Sequence, residues 1–224
     1  MGASCEGSVL EELAAIERWA VNNNMMLNQS KCKEMIFYKG KKSLASITAI
    51  PVTQGLERVN ALKILGVTLK GDFSVDDHVT NLCNKASQNF YVLKILRNSG
   101  LSTEQLFQVF NALIVSKISY AASSWCGFLS QLQIAKLQSI LNKAVRWGLA
   151  TEQSVMSIFQ NSDTRLFNSI LSNREHVLHY LLPPVKETPY NLRASTSHGR
   201  LLPKKDTLME RNFLIRMLYK DVAL

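Results

Sequence analysis

The sequence predicts an α+β fold that is mostly helical, with a small antiparallel β part followed by a helical bundle and further C-terminal helices. Three observations carry this prediction. Strand-like runs are confined to residues 34–69. From Ser74 onward apolar residues recur at helical spacing. Serine caps at Ser8, Ser74, Ser102 and Ser130 stand just ahead of apolar-periodic stretches, where a side-chain oxygen satisfies the first backbone N–H groups of a helix.

Taken in order, Ser8 with Glu11 three residues on forms a capping-box pattern, and Val9, Leu13, Ile16 and Ala20 supply the helical stripe behind it. Asn22, Asn23 and Asn24 should end that helix, because Asn competes for backbone bonds and tolerates the left-handed region. Glu34 to Tyr38 reads as a strand, and so does Leu62 to Leu69, whose alternation puts Leu65, Val67 and Leu69 on one face. Residues 47–52 read as a further strand, limited to an edge by Pro51. So small a β part needs a helix or another strand against it.

Ser74 with Asp77 caps the next helix, whose stripe is Val75, Val79, Leu82, Ala86, Leu93 and Leu96, with Gly100 as its stop. Ser102 caps a helix carrying Leu106, Val109, Phe110, Leu113 and Ile114, and Ser130 caps one carrying Leu132, Ala135, Ile140, Leu141 and Val145. Three amphipathic helices with short connections imply a compact antiparallel bundle. Residues 151–159 and 163–182 read as two more helices, ended by Pro183 and Pro184. Residues 185–205 form a Pro-containing basic loop with Arg193, His198, Arg200, Lys204 and Lys205, and Asp206 caps a last helix through Phe213, Leu214 and Leu218. The implied domains are residues 1–72, 73–149 and 150–224.

Composition limits function. The 224 residues are 46% hydrophobic and 19% charged, which suits a folded domain of ordinary size plus a small extra element. No apolar run approaches the roughly 18 residues that cross a bilayer. The start of the chain lacks the basic and apolar regions of a secretory signal, and Glu6 stands where a myristoylation signal needs Ser or Thr. Cys5, Cys32, Cys83 and Cys126 are far apart, the pattern of free thiols in a reducing compartment, so the expected location is intracellular, in nucleus or cytoplasm. The net charge is +9: residues 1–112 carry 12 basic and 10 acidic groups (+2), and residues 113–224 carry 14 and 7 (+7). A basic half suits a polyanionic partner, nucleic acid being the commonest; the competing reading is a solvated basic surface.

Several segments resemble, in order, the reverse transcriptase of jockey-like non-LTR retrotransposons. Trp19 followed by Asn23 to Lys33 is similar to the family's W…N.L.LN..K segment, the fourth motif of the polymerase palm. Lys63 to Val67 is similar to its K.LGV primer grip, and Asp77 to Ala86 to the HV..L..KA start of the thumb. Tyr120 to Gly127 resembles the later YA…W segment, and Leu181 to Arg193 the region beyond the thumb. The resemblance implies a palm remnant with a primer-grip hairpin in residues 1–72, a helical thumb in 73–149, and C-terminal helices after it.

Family polymerisation uses carboxylates that hold two Mg2+ ions. The resemblance places those aspartates, one pair in a Tyr-x-Asp-Asp hairpin, upstream of the helix that opens at Ser8, so no cofactor is expected here and no polymerisation by this chain alone. Asp76 and Asp77 are adjacent acids in a first helical turn, where they complement the dipole and diverge by about 100°. Lys31 is the motif lysine, which in the family lies near the incoming nucleotide and can act as a general acid; a solvated loop lysine is the competing reading. Leu65, Gly66 and Val67 carry the implied primer grip, with Gly66 admitting a close backbone approach; a bulge or bend is the structural alternative.

Lys85, Lys94, Arg97, Lys117, Lys136, Lys143 and Arg146 are the candidate contacts to an RNA or DNA duplex backbone, which position without reading sequence. Trp19, Trp125 and Trp147 could stack on bases, although packing explains such residues more simply. His176 and His179 are three apart on an expected helix but have no third ligand, so no metal site is expected. Apolar surface is expected to stand exposed around Met35, Phe37, Leu65 and Val67, open to a partner or to self-association. The alternative to nucleic-acid binding is a helical protein-interaction module whose cations scatter around the bundle.

Overall fold

The computed structural model describes residues 5–38, 46–47, 49–53, 55–185, 200 and 208–220. The fold is α+β and mostly helical, as the sequence predicts. The chain divides into two compact units, Met1–Ser74 and Val75–Leu224, so that residues after 149 cluster with the helices before them.

In the N-terminal unit, helix α1 spans Cys5–Asn22, opening three residues before the expected cap at Ser8. It closes on asparagine as expected. Asn24 adopts φ 55°, Met25 N–H bonds Ala20 O at 2.8 Å and Asn24 N–H bonds Val21 O at 3.1 Å, a two-bond left-handed stop that satisfies the last carbonyls. The β part is smaller than predicted. Strand β1 is only Lys33–Glu34, and it pairs in parallel with β2, Glu57–Arg58. The pairing is tied across by Glu34 Oε1 and Arg58 at 2.7 Å, and by Lys33 with Glu57. The predicted strand over residues 47–52 is absent among the described residues. Ile50 N–H instead turns back to Ile47 O at 3.1 Å, and Arg58 donates to the carbonyls of Ile50 and Pro51 at 2.6 Å each.

The expected single strand from Leu62 to Leu69 is a hairpin. Strands β3, Ala61–Ile64, and β4, Val67–Lys70, are antiparallel, with Ile64 opposite Val67. Leu65 (φ 47°) and Gly66 (φ 94°) form the two-residue tip, and both left-handed values match the twist of the flanking strands. Leu65 is therefore at the turn and 87% exposed, while Val67 is buried. The expected common face of Leu65 and Val67 does not exist, and Val67 is not part of an exposed apolar surface; Phe37 and Leu65 are exposed.

The second unit is helical. Helix α2, Asp76–Asn98, has Val75 at its N-cap position, one residue after the expected Ser74. Its buried face is Val79, Leu82, Ala86 and Leu93 as predicted, with His78 and Phe90 added. Helix α3, Thr103–Phe110, and helix α6, Gln131–Arg146, each open on a complete capping box, Ser102 with Gln105 and Ser130 with Gln133. Between them lie a π-helical turn, Asn111–Val115, and two short helices, α4 (Ser116–Ser119) and α5 (Ala122–Trp125). Leu106, Phe110, Ile114 and Ile118 are all buried at a spacing of four. An α-helix drifts about 40° per four residues, so the wider π turn is what brings the later pair back to the core.

Tyr120 and Ala121 break the chain between α4 and α5: Tyr120 is extended and Ala121 left-handed at φ 49°. Trp125 fills the core there, with no exposure, edge-on to His78 at 4.9 Å and to Phe159 at 5.3 Å. In α6 the buried set is Gln133, Leu137, Ile140, Leu141 and Ala144. Leu132 and Val145, expected inside, are exposed because the capping box turns Gln133 inward.

The two helices expected over 151–182 are one, α7, Val155–Ser172, capped by Ser154. Asp163, read as a helix start, is a buried residue in its middle. Residues 173–185 are turns with a 3-10 segment at His179–Leu181. The last helix, α8, is Phe213–Lys220, and Asn212 Oδ1 accepts the Leu214 N–H at 2.9 Å at its start. The expected cap Asp206, most of the basic loop over 185–205, and Lys204 and Lys205 lie outside the described residues; Val185 and Arg200 form an isolated bridge. Met217 and Leu218 of α8 pack on Phe167 of α7. Among the described residues no helix is long and apolar enough to cross a membrane.

Candidate functional site

Helices α2 and α6 run parallel. Gln133 at the start of α6 donates to Asp76 at the start of α2, and Phe90 meets Lys143 and Trp147 near the other end. The up-down-up order through α3 and α4 makes this so: Asn89 of α2 donates to Leu113 O at 2.9 Å on the returning limb, and α6 comes back alongside α2. Beside the buried seam each helix presents a second row. On α2 it is Thr80, Cys83, Ser87, Phe90, Lys94 and Arg97, and on α6 it is Lys136, Ser139, Lys143 and Arg146. Steps of three and four keep each row on one helical face. Together they line two cavities that follow one another along the same faces of α2 and α6, of about 380 Å³ and about 420 Å³, and form the two parts of a groove.

Five cations gather there: Lys94, Arg97, Lys136, Lys143 and Arg146. Between Asp77 and Glu152 the chain has seven Lys or Arg residues and one acid, Glu104, a net of +6 (seven minus one). Among the described residues none of the five groove cations forms an ion pair. Arg97, Lys143 and Arg146 occupy the last turns of their helices, where the dipole favours positive charge by about 0.3–1 kcal/mol each. Lys136 sits mid-helix and has no such support. The Lys143 ammonium stands over two rings, 4.7 Å from the centroid of Phe90 and 4.6 Å from that of Trp147, which fixes it between the two parts of the groove. Burial pushes the Cys83 thiol up, only partly offset by the Lys136 charge, so this groove cysteine is a poor nucleophile at neutral pH.

The other residues singled out by the sequence fall elsewhere. Lys85 lies two positions from both Cys83 and Ser87, about 200° around α2 and away from the groove. Lys117 is on α4 and is not in the lining. Lys31 belongs to the N-terminal unit, exposed at the end of a 3-10 turn, Gln29–Lys31. The apolar cavity beside it, about 750 Å³ and lined by Val21, Met25, Met26 and Leu27, does not include Lys31 in its wall. Leu65 and Gly66 form the hairpin tip while Val67 lies in β4, so the three implied primer-grip residues are divided between a turn and a strand.

The tryptophans separate completely: Trp125 is core, Trp19 is 59% exposed, and Trp147 is 37% exposed at the end of the groove. His176 lies in a turn and His179 opens the 3-10 segment, so the two do not share an α-helix. His176 Nδ1 accepts the Leu178 N–H, and His179 Nδ1 lies 2.8 Å from Ile170 O, so both rings are engaged locally.

Among the described residues the acids do not gather as a pair of Mg2+ ions would need. Asp76 receives the Gln133 amide, Asp163 is paired with Arg216, and among the described residues no three His, Cys, Asp or Glu side chains gather where they could hold a metal. Cys32, Cys83 and Cys126 are free thiols. Sequence reasoning missed the second buried polar cluster. Arg216 of α8 bonds Asp163 Oδ2 at 2.8 Å and Cys126 Sγ at 3.3 Å, and burial pushes the Cys126 thiol up with Arg216 pulling the other way. Gly127 passes close beneath it; a Cβ there would strike Arg211 O and come within 2.9 Å of Arg216 Nε. Thr80, Ser87 and Asn98 in the groove were also missed, though polar residues at three-four spacing beside an apolar stripe were visible in the sequence.

No protein-family model matches this chain, and neither a curated protein nor a solved structure matches it.

Proposed function

We propose that this chain is a nucleic-acid-binding segment derived from a jockey-like non-LTR retrotransposon reverse transcriptase, in which the thumb-like helices grip an RNA or DNA duplex by its phosphates. The observation that carries the reading is the convergence of five of the seven candidate cations on one groove between α2 and α6, without acidic partners among the described residues. A bundle whose cations serve only solubility has no reason to line them along one seam. The order of the sequence motifs supports the family assignment independently. Metal-dependent polymerisation is not part of the proposal, because the resemblance places the family's metal-binding aspartates outside the segments this sequence matches. The setting that follows is intracellular, nuclear or cytoplasmic, where such duplexes occur.

Binding is sequence-tolerant and salt-dependent. Each phosphate contact contributes about 0.9 to the slope of log K against log salt on duplex DNA, so full use of the five cations gives a slope of roughly −4 to −5. Fluorescence anisotropy over a salt series measures it. Lys136→Ala and Arg146→Ala each shallow the slope by about 0.9, whereas Lys85→Ala and Lys117→Ala leave it in place. No binding at low salt removes the proposal. Primer extension with this chain alone gives no incorporation.

A second reading, a protein-interaction module, is favoured by one observation: Leu10, Ile16, Trp19, Val21, Met25 and Met26 are exposed in and just after α1. It predicts a concentration-dependent dimer or partner complex by sedimentation that Trp19→Glu abolishes.

A further inference from the structure

Resting on that grip, we infer that the far end of the groove is a pocket for an unpaired nucleotide at the end of a strand, its phosphate held by Lys94, Arg97 and Arg146 and its base laid against Trp147. The far-end cavity is about 420 Å³, within the range of small-ligand sites, and Trp147 is the aromatic residue of its lining. The indole is held in place from behind. Lys143 sits over the ring 4.6 Å from its centroid and Phe90 meets it edge-on at 5.4 Å, while 37% of the residue remains open to solvent. A rigid, part-exposed ring beside three cations without ion-pair partners among the described residues is more than a phosphate grip requires.

Paired bases cannot use such a ring, because their faces are already stacked within the duplex. A duplex offers the groove only its phosphates, while a base beyond the last pair has a free π-face and can stack. The preceding groove, with Lys136 and Lys143 but hydroxyls in place of an exposed ring, suits backbone alone. The two parts together describe a seat for a duplex with a single-stranded tail, the tail lying at the Trp147 end.

The test uses anisotropy of a labelled blunt duplex, and of the same duplex with a short unpaired tail at its 3′ or 5′ end, against the full chain. One tailed duplex binds roughly tenfold tighter than the blunt one, the size of a single base stacked on an aromatic ring. Trp147→Leu, which keeps an apolar contact for Phe90, brings the tailed-to-blunt ratio to within about twofold, and Trp147→Phe restores most of it. Equal binding of tailed and blunt duplexes by the wild type overturns the inference, as does an undiminished ratio in Trp147→Leu. A free nucleoside monophosphate that displaces the probe as well as unlabelled tailed duplex does assigns the pocket to a mononucleotide and overturns the strand-end reading. Failure to bind even the blunt duplex at low salt removes the proposed function itself, whereas blunt binding without a tail preference removes this inference alone.

Discussion

In residues 75–224, Phe110, Trp125, Leu137 and Phe167 are almost fully buried, and Met217 and Leu218 of α8 pack with Phe167. In the described part of residues 1–74 the buried apolar residues are Ala20 and Val67, while Trp19, Met26 and Leu65 stand out in solvent. The first unit is held as much by polar ties as by packing: Glu34 with Arg58, Arg58 with two carbonyls, and Asn23 with the end of α1. Burial of apolar area is the dominant stabilising effect in folding, and one net hydrogen bond adds only about 1 kcal/mol. The contrast teaches that the helical unit carries its own stability, whereas the N-terminal unit depends on a few charged contacts and presents apolar surface to whatever it meets.

The strongest test of that contrast compares two tryptophans. Trp125→Ala should cost about 3–5 kcal/mol by urea unfolding, since it empties a core site and strands the Tyr120 carbonyl that accepts its indole N–H. Trp19→Ala should change stability by about 0.5 kcal/mol or less. A large cost at Trp19 would break the comparison. Next is the buried ion pair. Arg216→Ala leaves the Asp163 carboxylate buried beside Cys126 and should cost about 3 kcal/mol. Replacing both partners by apolar residues of similar volume should recover most of it, showing that the penalty lies in the stranded charge.

Acid sharpens the other side of the comparison. Burial by itself raises the Glu34 carboxyl, but the Arg58 and Thr53 bonds outweigh it and hold the group below its ordinary 4.5. A depressed folded value means the contribution is fully present above the unfolded value near 4.5 and is lost as pH falls through the folded one. Amide-exchange protection at Thr53, whose N–H bonds Glu34 Oε2 at 3.0 Å, should therefore fall in acid in the wild type and lose that pH dependence in Glu34→Gln. A modest gain is expected at the hairpin tip. Leu65 holds a left-handed backbone that asparagine adopts more readily, so Leu65→Asn should stabilise the chain by about 1 kcal/mol, read as a higher melting temperature.

Much of the helical unit was legible because its signals are local. Ser102 and Ser130 cap as read, Asn24 and Gly100 sit where their helices stop, and Val79, Leu82, Ala86 and Leu93 form the buried face of α2. The β part was misread for a physical reason. Alternation over 62–69 continues across Leu65, and an apolar residue is no turn signal, so the reversal of the chain was invisible. The expected break between residues 159 and 163 does not occur: the Asp163 carboxylate finds its partner 53 residues later, at Arg216, and the helix runs on through it.

The candidate site divides the same way. The sequence by itself determined the inventory: seven cations against one acid between Asp77 and Glu152, and the three-four spacing that puts Lys94 with Arg97 and Lys143 with Arg146. Only the tertiary structure decided that α2 and α6 run parallel, that five of those cations share a groove while Lys85 and Lys117 do not, and that Trp147 lines its far part. Spacing along one helix is fixed by its 3.6-residue turn. The meeting of residues some fifty positions apart depends on which buried faces pack, a choice made by the whole core at once.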